Sequence, residues 1–283
     1  MTTSARRPGR TRHVRIVGPG RAGTALALAL TNAGWDVAPM LGRGDDLSAA
    51  AAGVDLLVLA TPDSEIKRVA HQVEPDGTTV VAHLAGARGL ELLAPHPRRA
   101  AVHPLVALPN AELGSRRLVG GWFAIAGDPL AAEVVRSLKG RSFTVDDADR
   151  ATYHAAAAIA SNHLVALLGQ VERLSTQVGV PFEAYLDLAT DTLANVAELG
   201  PRAALTGPAA RGDDATIRRH VRALPADERR AYRGMVDAAR RLAADSGPGS
   251  GSEFGDGSGP REGARVRSGS GSGSARTPGG TRA

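Results

Sequence analysis

A glycine-rich turn constrains the fold of this chain more than any other feature. Residues 14–30 read VRIVGPGRAGTALALAL, which is an apolar strand, a G-x-G-x-x-G turn and an apolar helix. This order is typical of dinucleotide-binding folds. There the first glycine permits a tight turn, the second lets a pyrophosphate approach the backbone, and the third lets the helix pack closely on the strand. Free N–H groups at the helix start then hold the phosphates.

We therefore assign the turn to a cofactor through Gly18, Pro19, Gly20, Arg21, Ala22 and Gly23. The alternative is a glycine-rich turn in an α/β fold that has lost its ligand.

The composition narrows the class of protein. The chain has 283 residues, of which 43% are hydrophobic, so it can bury one or two cores. It contains no Cys, which excludes disulfides and Cys-bound metals. No apolar run approaches the roughly 20 residues of a membrane span, and the basic start lacks a secretory apolar region. We expect a soluble, cytoplasmic protein without a metal site or a membrane partner.

The positive charge lies in the two ends of the chain. Residues 1–12 contain four Arg, and the tail from Gly247 contains five Arg against three acidic residues, so the net charge of +5 comes from these segments. A nucleic-acid surface would need a basic face on the folded part, and only 3% of residues are aromatic. We expect no nucleic-acid partner.

The order of the elements predicts the fold class. Strands are predicted at 13–17, 36–41, 56–60, 78–84, 100–103, 122–126 and 143–145, and helices at 22–33, 64–73, 89–93 and 130–138. Apolar strands without alternation indicate a sheet covered on both faces. Only helical periodicity follows, at 149–178, 181–199, 214–223 and 226–244, with Asp213 or Asp214 as a cap. The helix at 181–199 should bury Phe182, Tyr185, Leu186, Ala189, Leu193 and Val196.

The fold class is thus α/β: a doubly wound, mainly parallel Rossmann-like sheet, an all-α second domain and a disordered tail. We place a disordered basic extension at 1–12, a dinucleotide-binding domain at 13–147, a helical substrate and dimerisation domain at 148–245, and a disordered Gly/Ser/Arg tail at 246–283. The tail is too poor in apolar residues to offset its ordering entropy.

The residues after the second and third strands bear on the cofactor. Arg43 follows the second strand where NAD enzymes place a carboxylate, and a guanidinium suits a 2′-phosphate, so NADP is favoured over NAD. In the alternative, Arg43 is a solvated loop residue and Asp45 or Asp46 serves the ribose. Thr61 and Pro62 follow the third strand, at the sheet edge that lines the ligand crevice.

Two histidines end predicted strands at that same edge, His83 and His103. Imidazole can take or give the proton that accompanies hydride transfer. A structural role is equally open for both, and His83 is also a candidate for contact with the cofactor.

The first long helix of the second half carries a small, polar face. His154, Ala158, Ser161 and Asn162 share this face, which could admit a ligand or form a tight alanine packing seam around a buried Asn. Further on, Asn195 belongs to a polar stripe with Asp187 and Asp191, which is usually a solvated face. Arg211 could hold a substrate carboxylate.

Four segments together resemble a bacterial family with a Rossmann-like domain and a DUF2520 domain. They are Gly18-Pro19-Gly20-Arg21-Ala22-Gly23, His103-Pro104-Leu105, Tyr153-His154-Ala155-Ala156-Ala157 with Ser161-Asn162, and Leu205-Thr206-Gly207-Pro208 with Arg211-Gly212-Asp213. The resemblance covers residues 13–245. It implies an NADP-dependent oxidoreductase similar in architecture to pyrroline-5-carboxylate reductase, ketopantoate reductase and prephenate dehydrogenase. In those relatives the helical domain forms the substrate wall and often a dimer interface.

Departures from these relatives limit the chemistry. Ketopantoate reductases use a Lys on the first long helix of the second domain, and this chain has Lys only at 67 and 139. Prephenate dehydrogenases use a His before Pro at a strand end, which His103-Pro104 resembles, but their Ser-His pair is Ser161-Asn162 here.

These features favour hydride transfer to or from a small keto or imino acid that bears a carboxylate. His103 or His154 would supply the proton, Asn162 would polarise the reacting group, Ser161 and Asn195 would line the substrate site, and Arg211 would anchor the carboxylate. A non-catalytic NADP-binding sensor or scaffold is the alternative, and a homodimer through the helical domain is compatible with either.

Overall fold

The computed structural model describes residues 10–245. The expectations for the basic extension before residue 10 and for the tail after residue 245 lie outside these residues. The described chain divides into two compact units, of which the first ends at Asp191 and the second begins at Thr192.

A seven-stranded sheet forms the centre of the first unit, in the order β2-β1-β3-β4-β5-β6-β7. All neighbouring strands are parallel except β5 and β6. The strands are β1 His13–Val17, β2 Asp36–Val37, β3 Leu56–Leu59, β4 Val80–His83, β5 Arg99–Pro104, β6 Trp122–Gly127 and β7 Arg141–Thr144. The doubly wound, mainly parallel sheet is confirmed.

Helices cover this sheet, and the elements that follow its last strand in the described chain are all helical. Those between the strands are α1 Arg21–Asn32, α2 Ile66–Gln72, α3 Ala111–Leu118 and α4 Leu130–Ser137. Two buried apolar clusters, one with Ile16 and Leu30 and one with Leu57 and Ile66, pack around the sheet. The later helices are α5 Arg150–Ala158, α6 Leu164–Val178, α7 Phe182–Ala204, α8 Asp214–Ala223 and α9 Arg229–Ala244.

Several local predictions needed correction. The second strand is short because Pro39 has no N–H, and pairing resumes only as a single bridge from Leu41 to Val17. The segment 89–93 is a 3₁₀ turn at Leu90–Leu93, and α3 was not predicted. A π-helical turn, Ile159–His163, separates α5 from α6, where one continuous helix was predicted.

The predicted burial on α7 was wrong for its large aliphatic residues. Leu186, Leu193 and Val196 are exposed by 38%, 55% and 36%. These residues do form an apolar stripe along the helix, but too few of the described residues pack against it to bury it. The predicted end of this helix is correct, because Gly200 has non-helical backbone angles before Pro201. The range Phe182–Ala204 given for α7 therefore contains two helical segments that meet at this kink.

The second unit contains the end of α7 together with α8 and α9. Asp213 caps α8, since its Oδ1 accepts a hydrogen bond from the Thr216 N–H at 3.0 Å. The ring Nδ1 of His220 lies 2.7 Å from the Tyr232 hydroxyl, which links α8 to α9.

Candidate functional site

The glycine-rich turn joins β1 to α1 with three different demands on its glycines. Gly18 has φ +108°, and a Cβ there would lie 2.6 Å from the Ala60 carbonyl oxygen. A Cβ on Gly23 would overlap the carbonyl oxygen of Gly18. A Cβ on Gly20, by contrast, would meet no heavy atom within 4 Å. The first and third glycines are therefore required by packing, and the second leaves open space.

That open space belongs to a cleft of about 410 Å³ at the carboxyl ends of β1 and β3. Its lining includes Gly18, Pro19, Gly20, Arg43, Thr61 and Pro62, together with Glu65 of the β3–α2 connection and Arg68 of α2. Arg21 and Ala22 form the first turn of α1 beside it. Gly20 is the N-cap of α1 without a side-chain hydrogen bond, and the first turn has no acidic residue. The partial positive charge at this helix end is therefore not offset by a nearby carboxylate.

Arg43 enters the cleft without an ion pair among the residues described. The two acidic residues that follow it are engaged with the backbone. Asp45 accepts a hydrogen bond from the Gly42 N–H at 2.7 Å, and Asp46 accepts one from the Ser48 N–H at 2.9 Å, which lowers the pKa of Asp46. These contacts favour Arg43 over either carboxylate as the group that faces a ligand.

Thr61 presents a second unsatisfied group to this cleft. Its Oγ1 is buried and has no hydrogen-bond partner in the part of the chain that the structure describes. Buried hydroxyls nearly always have a partner, so this oxygen indicates a missing ligand or water.

A second cleft, of about 590 Å³, lies at the carboxyl end of β5 and against α5 and the π-helical turn. It is lined by His103, Tyr153, His154, Ser161 and Asn162, with alanines and the residues after His103 completing the wall. The structure therefore brings the predicted residues of β5 and of the first helical segment to one place. The remaining lining is apolar, with five alanines beside Pro104, Leu105 and Val106.

His103 and Tyr153 form a hydrogen-bonded pair at the base of the second cleft. The ring Nδ1 of His103 lies 2.6 Å from the Tyr153 hydroxyl oxygen, and the rings meet edge to face at 5.5 Å. Burial is the main cause that lowers the pKa of His103 to about 4, and the charges of His154, Arg150 and His83 add to it. Burial also raises the pKa of Tyr153. At neutral pH both groups are therefore uncharged, and we assign the tautomer in which the phenol donates to Nδ1 and the ring proton lies on Nε2.

His83 lies beneath the surface and lines neither cleft. Its side chain is completely buried, Nδ1 accepts from the Ala85 N–H at 3.2 Å, and Nε2 donates to the Gly89 carbonyl at 3.1 Å. Burial lowers its pKa. Both ring nitrogens are thus used by the loop after β4, so we no longer assign His83 to the cofactor.

Ser161 and Asn162 stand side by side on the π-helical turn. Ser161 Oγ lies 2.8 Å from the Ala157 carbonyl, to which it donates, and 3.0 Å from Asn162 Oδ1. Asn162 is exposed and keeps its amide group available to the cleft. The extra residue of a π turn brings two consecutive polar side chains to one wall, and such turns are frequent at functional sites.

The other two predicted substrate residues belong to the second unit. Asn195 is an exposed residue of α7, and Arg211 is an exposed residue of the loop before α8. Their placement relative to the clefts of the first unit remains a prediction.

Sequence reasoning gave no role to Tyr153, which lines the second cleft, or to Gly86 and Arg150, which lie near its lining residues. Tyr153 was part of the quoted motif, and its spacing of one residue from His154 was the only signal. Gly86 packs against two imidazoles, because a Cβ there would lie 2.6 Å from His154 Cδ2 and 2.8 Å from His103 Nε2. Arg150 is fully buried one turn before Tyr153. No sequence pattern indicated either contact.

Within residues 10–245, no cluster of three or more His, Asp or Glu side chains could hold a metal ion. In the same range, no helix is long and apolar enough to cross a membrane.

The fold and the two clefts define a class: a Rossmann-like nucleotide-binding architecture joined to a helical region. Residues 1–109 match the family model for the Rossmann-like domain, and residues 123–239 match the model named Domain of unknown function (DUF2520). The chain is a Rossmann-like and DUF2520 domain-containing protein, as the resemblance predicted. No curated protein matches it closely enough to count as a relative.

Solved structures with the same fold share little sequence with the chain. A Bacteroides fragilis protein provisionally assigned as an NADP oxidoreductase aligns with a TM-score of 0.67 and 21% identity, over 82% of this chain and 98% of that one. The Aspergillus terreus reductive aminase, solved with NADPH and ethyl levulinate, gives 0.59 and 20%, over 82% and 94%. The Plasmodium falciparum pyrroline carboxylate reductase, solved with NADP, gives 0.54 and 12%, over 82% and 98%.

Proposed function

We propose that this protein is an NADP-dependent oxidoreductase that transfers hydride to or from a small keto or imino acid bearing a carboxylate. The observation that carries the proposal is the pair of clefts at one edge of one sheet. One cleft has the features of a dinucleotide site, and the other holds a histidine–tyrosine pair capable of proton transfer. Ligands of open α/β sheets bind at this edge.

The residues of the first cleft fit NADP. Gly20 leaves the space that a pyrophosphate needs, the start of α1 offers N–H donors, and the Thr61 hydroxyl lacks a partner. Arg43 would bind the 2′-phosphate, which a guanidinium can hold through two hydrogen bonds. The bound nicotinamide would supply or accept the hydride. Two of the structural neighbours named above were solved with NADP or NADPH, which supports the same cofactor.

The second cleft supplies the proton chemistry. His103 is neutral at pH 7 and, when the substrate is oxidised, takes up a proton at Nδ1 through Tyr153: the tyrosine hydroxyl passes its own proton to the ring and receives the proton of the substrate. In the reducing direction, the proton reaches the substrate oxygen or nitrogen from the His103–Tyr153 pair or from His154. Asn162 donates a hydrogen bond that polarises the reacting carbonyl or imine, and Ser161 orients Asn162.

The substrate class rests on the second unit and on the relatives. Arg211 would hold the carboxylate and Asn195 would line the substrate site, as predicted from the sequence. The structural neighbours include enzymes named for reducing imines and pyrroline carboxylate, and an imino acid suits a wall of small residues beside Asn162.

We also propose a homodimer formed through the helical region, because Val165, Leu193 and Leu199 are exposed by 71%, 55% and 56% on α6 and α7. A domain boundary near residue 147, a cytoplasmic location and the absence of a nucleic-acid partner belong to the same proposal.

Calorimetric titration with NADPH, and separately with NADH, tests the cofactor. Micromolar binding of NADPH with much weaker NADH binding supports the proposal, and no binding of either contradicts it. A keto- and imino-acid screen then tests turnover. Tight NADPH binding with no oxidation by any substrate would favour the sensor or scaffold, which the absence of Lys from residues 149–244 makes a real competitor.

A further inference from the structure

Arg150 is the largest fully buried side chain, with 1% of its surface exposed. Its Nε donates to Asp147 Oδ1 at 2.7 Å. Its Nη1 and Nη2 are buried and have no hydrogen-bond partner among the described residues. A buried guanidinium is costly even when it is fully paired, and unsatisfied nitrogens add to the cost. Its retention in this position calls for a role that depends on its charge.

Its place on α5 puts that charge beside the second cleft. Arg150, Tyr153 and His154 occupy positions i, i+3 and i+4 of the helix, so they share one face. The loop after β4 closes tightly over this face. A Cβ on Gly86 would collide with His154 and His103, and a Cβ on Gly89 would lie 2.8 Å from Asp147 Oδ2. The loop therefore packs directly on the two imidazoles and on the ion-pair partner of Arg150.

The other charged groups around His103 and His83 do not cancel this charge. Asp147, the ion-pair partner, has a side chain that is 64% exposed, so solvent screens it, whereas Arg150 is screened little. His154 lies on α5 beside Tyr153 and supplies no negative charge. The Tyr153 phenol supplies none either, because burial raises its pKa. At His83, the negative charges of Asp63, on the β3–α2 connection, and Glu91, on the 3₁₀ turn, oppose the positive charge of Arg150. The field at His103 is therefore positive.

We propose that Arg150 is a positioning residue: a buried, fixed positive charge that acts together with burial to disfavour protonation of the His103 ring. The unpaired Nη atoms fit this role, because a guanidinium fully neutralised by carboxylates would exert little field on the ring. The consequence for catalysis rests on the proposed function. The effect on the His103 ring does not.

A structural role alone would give a different pattern. If Arg150 only filled space and anchored Asp147, an uncharged residue of similar length would leave the titration of His103 unchanged. If its charge matters, Arg150→Met and Arg150→Lys must differ, because lysine keeps the charge and loses the fork geometry. Asp147→Asn must act in the opposite direction to Arg150→Met, because it removes the partner that partly offsets the charge.

The test is an NMR titration of histidine-labelled full-length protein, with the His103 signal assigned by its loss in His103→Asn. In the wild type, we expect His103 to protonate only near pH 4. We expect Arg150→Met to raise the pKa of His103 by about 1, as a buried charge at effective dielectric 20 implies. Arg150→Lys should stay near the wild type. Thr79→Val, which removes a buried hydroxyl bound to Ala51 and Val54, is the control for destabilisation alone.

An unchanged His103 titration in Arg150→Met overturns the proposal, as does an equal rise in Arg150→Met and Arg150→Lys. Should Arg150→Met fail to fold, Asp147→Asn decides: protonation of His103 that is harder than in the wild type supports the proposal, and easier or equal protonation rejects it. No step of this test needs NADP or a substrate, so its failure is distinct from a failure of the proposed function. Where turnover is found, the acid limb of the oxidation rate should follow the His103 pKa in each variant.

Discussion

The imidazole of His103, at the end of a central strand, is held by the hydroxyl of Tyr153, on the first helix after the sheet, at 2.6 Å. The two residues are 50 positions apart in the chain, so the bond joins the sheet edge directly to the helical wall of the cleft. In the tautomer that we assign, the phenol donates to Nδ1 and Nε2 carries the ring proton. The chemistry proposed for the cleft depends on this contact.

Turnover should fall sharply when either partner is altered. We expect His103→Asn to lower kcat by about 10²–10⁴, the usual contribution of a general acid or base. Tyr153→Phe should cost less, because the ring keeps its packing and only the tautomer and the proton path are lost. His71→Asn is the matched control, since His71 is an exposed histidine on α2 bonded to a backbone carbonyl. Steady-state kinetics that show equal rates for His103→Asn and His71→Asn would remove His103 from the mechanism.

The pH dependence of stability should carry the mark of His103. Its pKa of about 4 in the folded state lies below the ordinary value of 6.5, so between these values the unfolded chain binds more protons than the folded one. Stability must therefore decrease as pH falls from 6.5 toward 4, by at most about 1.4 kcal/mol per pH unit from this group. The burial-lowered pKa of His83 acts in the same direction.

Urea unfolding at pH 7 and at pH 5 measures this slope. His103→Asn cannot titrate, so the variant should lose less stability than the wild type over the same interval. An identical loss in both proteins would mean that His103 is not a neutral group in the fold. His71→Asn should again follow the wild type.

Most of the sheet was predictable because buried parallel strands appear in a sequence as short runs of consecutive apolar residues. A run of four apolar residues such as Leu56–Leu59 can be recognised as a strand without knowing which strand it pairs with. The 3₁₀ turn and helix α3 were harder, because short segments with mixed polarity lack a clear period. The π turn at Ile159–His163 changes the helix register by one residue, and no local composition marks it.

The residues of the candidate site likewise divide into those that could be predicted from the sequence and those that could not. Gly18, Gly20 and Gly23 could be assigned from spacing because the pattern they form is contained within six consecutive residues. The role of Tyr153 could not, because it depends on a residue 50 positions away. Arg150 is the extreme case: an arginine in a sequence indicates a solvated surface, and only the tertiary packing around α5 places it in the interior.

Arg43 should determine the choice of cofactor. We expect Arg43→Ala to weaken NADPH binding by about tenfold to a hundredfold, the cost of a lost charged hydrogen-bond pair, and to leave NADH binding almost unchanged. Arg116→Ala is the control, since Arg116 is an exposed arginine on α3 paired with Glu112 away from the cleft. Calorimetry with both cofactors measures the ratio. Equal weakening of NADPH and NADH would place Arg43 elsewhere than at the 2′-phosphate.

The exposed apolar residues of the later helices should drive self-association. A carboxylate placed in a buried apolar interface is strongly disfavoured, so Val165→Glu combined with Leu193→Glu should convert a dimer into a monomer. Asp187→Lys changes the charge of the polar stripe on α7 and should leave the dimer intact. Light scattering coupled to gel filtration reads the mass. A monomeric wild-type protein at micromolar concentration would contradict the proposed dimer.

Alanine at Gly20 and at Gly23 should separate ligand binding from folding. A Cβ on Gly23 overlaps the Gly18 carbonyl oxygen, so Gly23→Ala must shift the backbone and should cost about 1–3 kcal/mol of stability. A Cβ on Gly20 meets no protein atom, and the φ of −81° there suits alanine, so Gly20→Ala should unfold like the wild type. The same methyl group would occupy the space left for the pyrophosphate, and NADPH binding should be lost. Thermal unfolding with and without NADPH measures both effects, and a Gly20→Ala protein still stabilised by NADPH would show that the cofactor does not approach this turn.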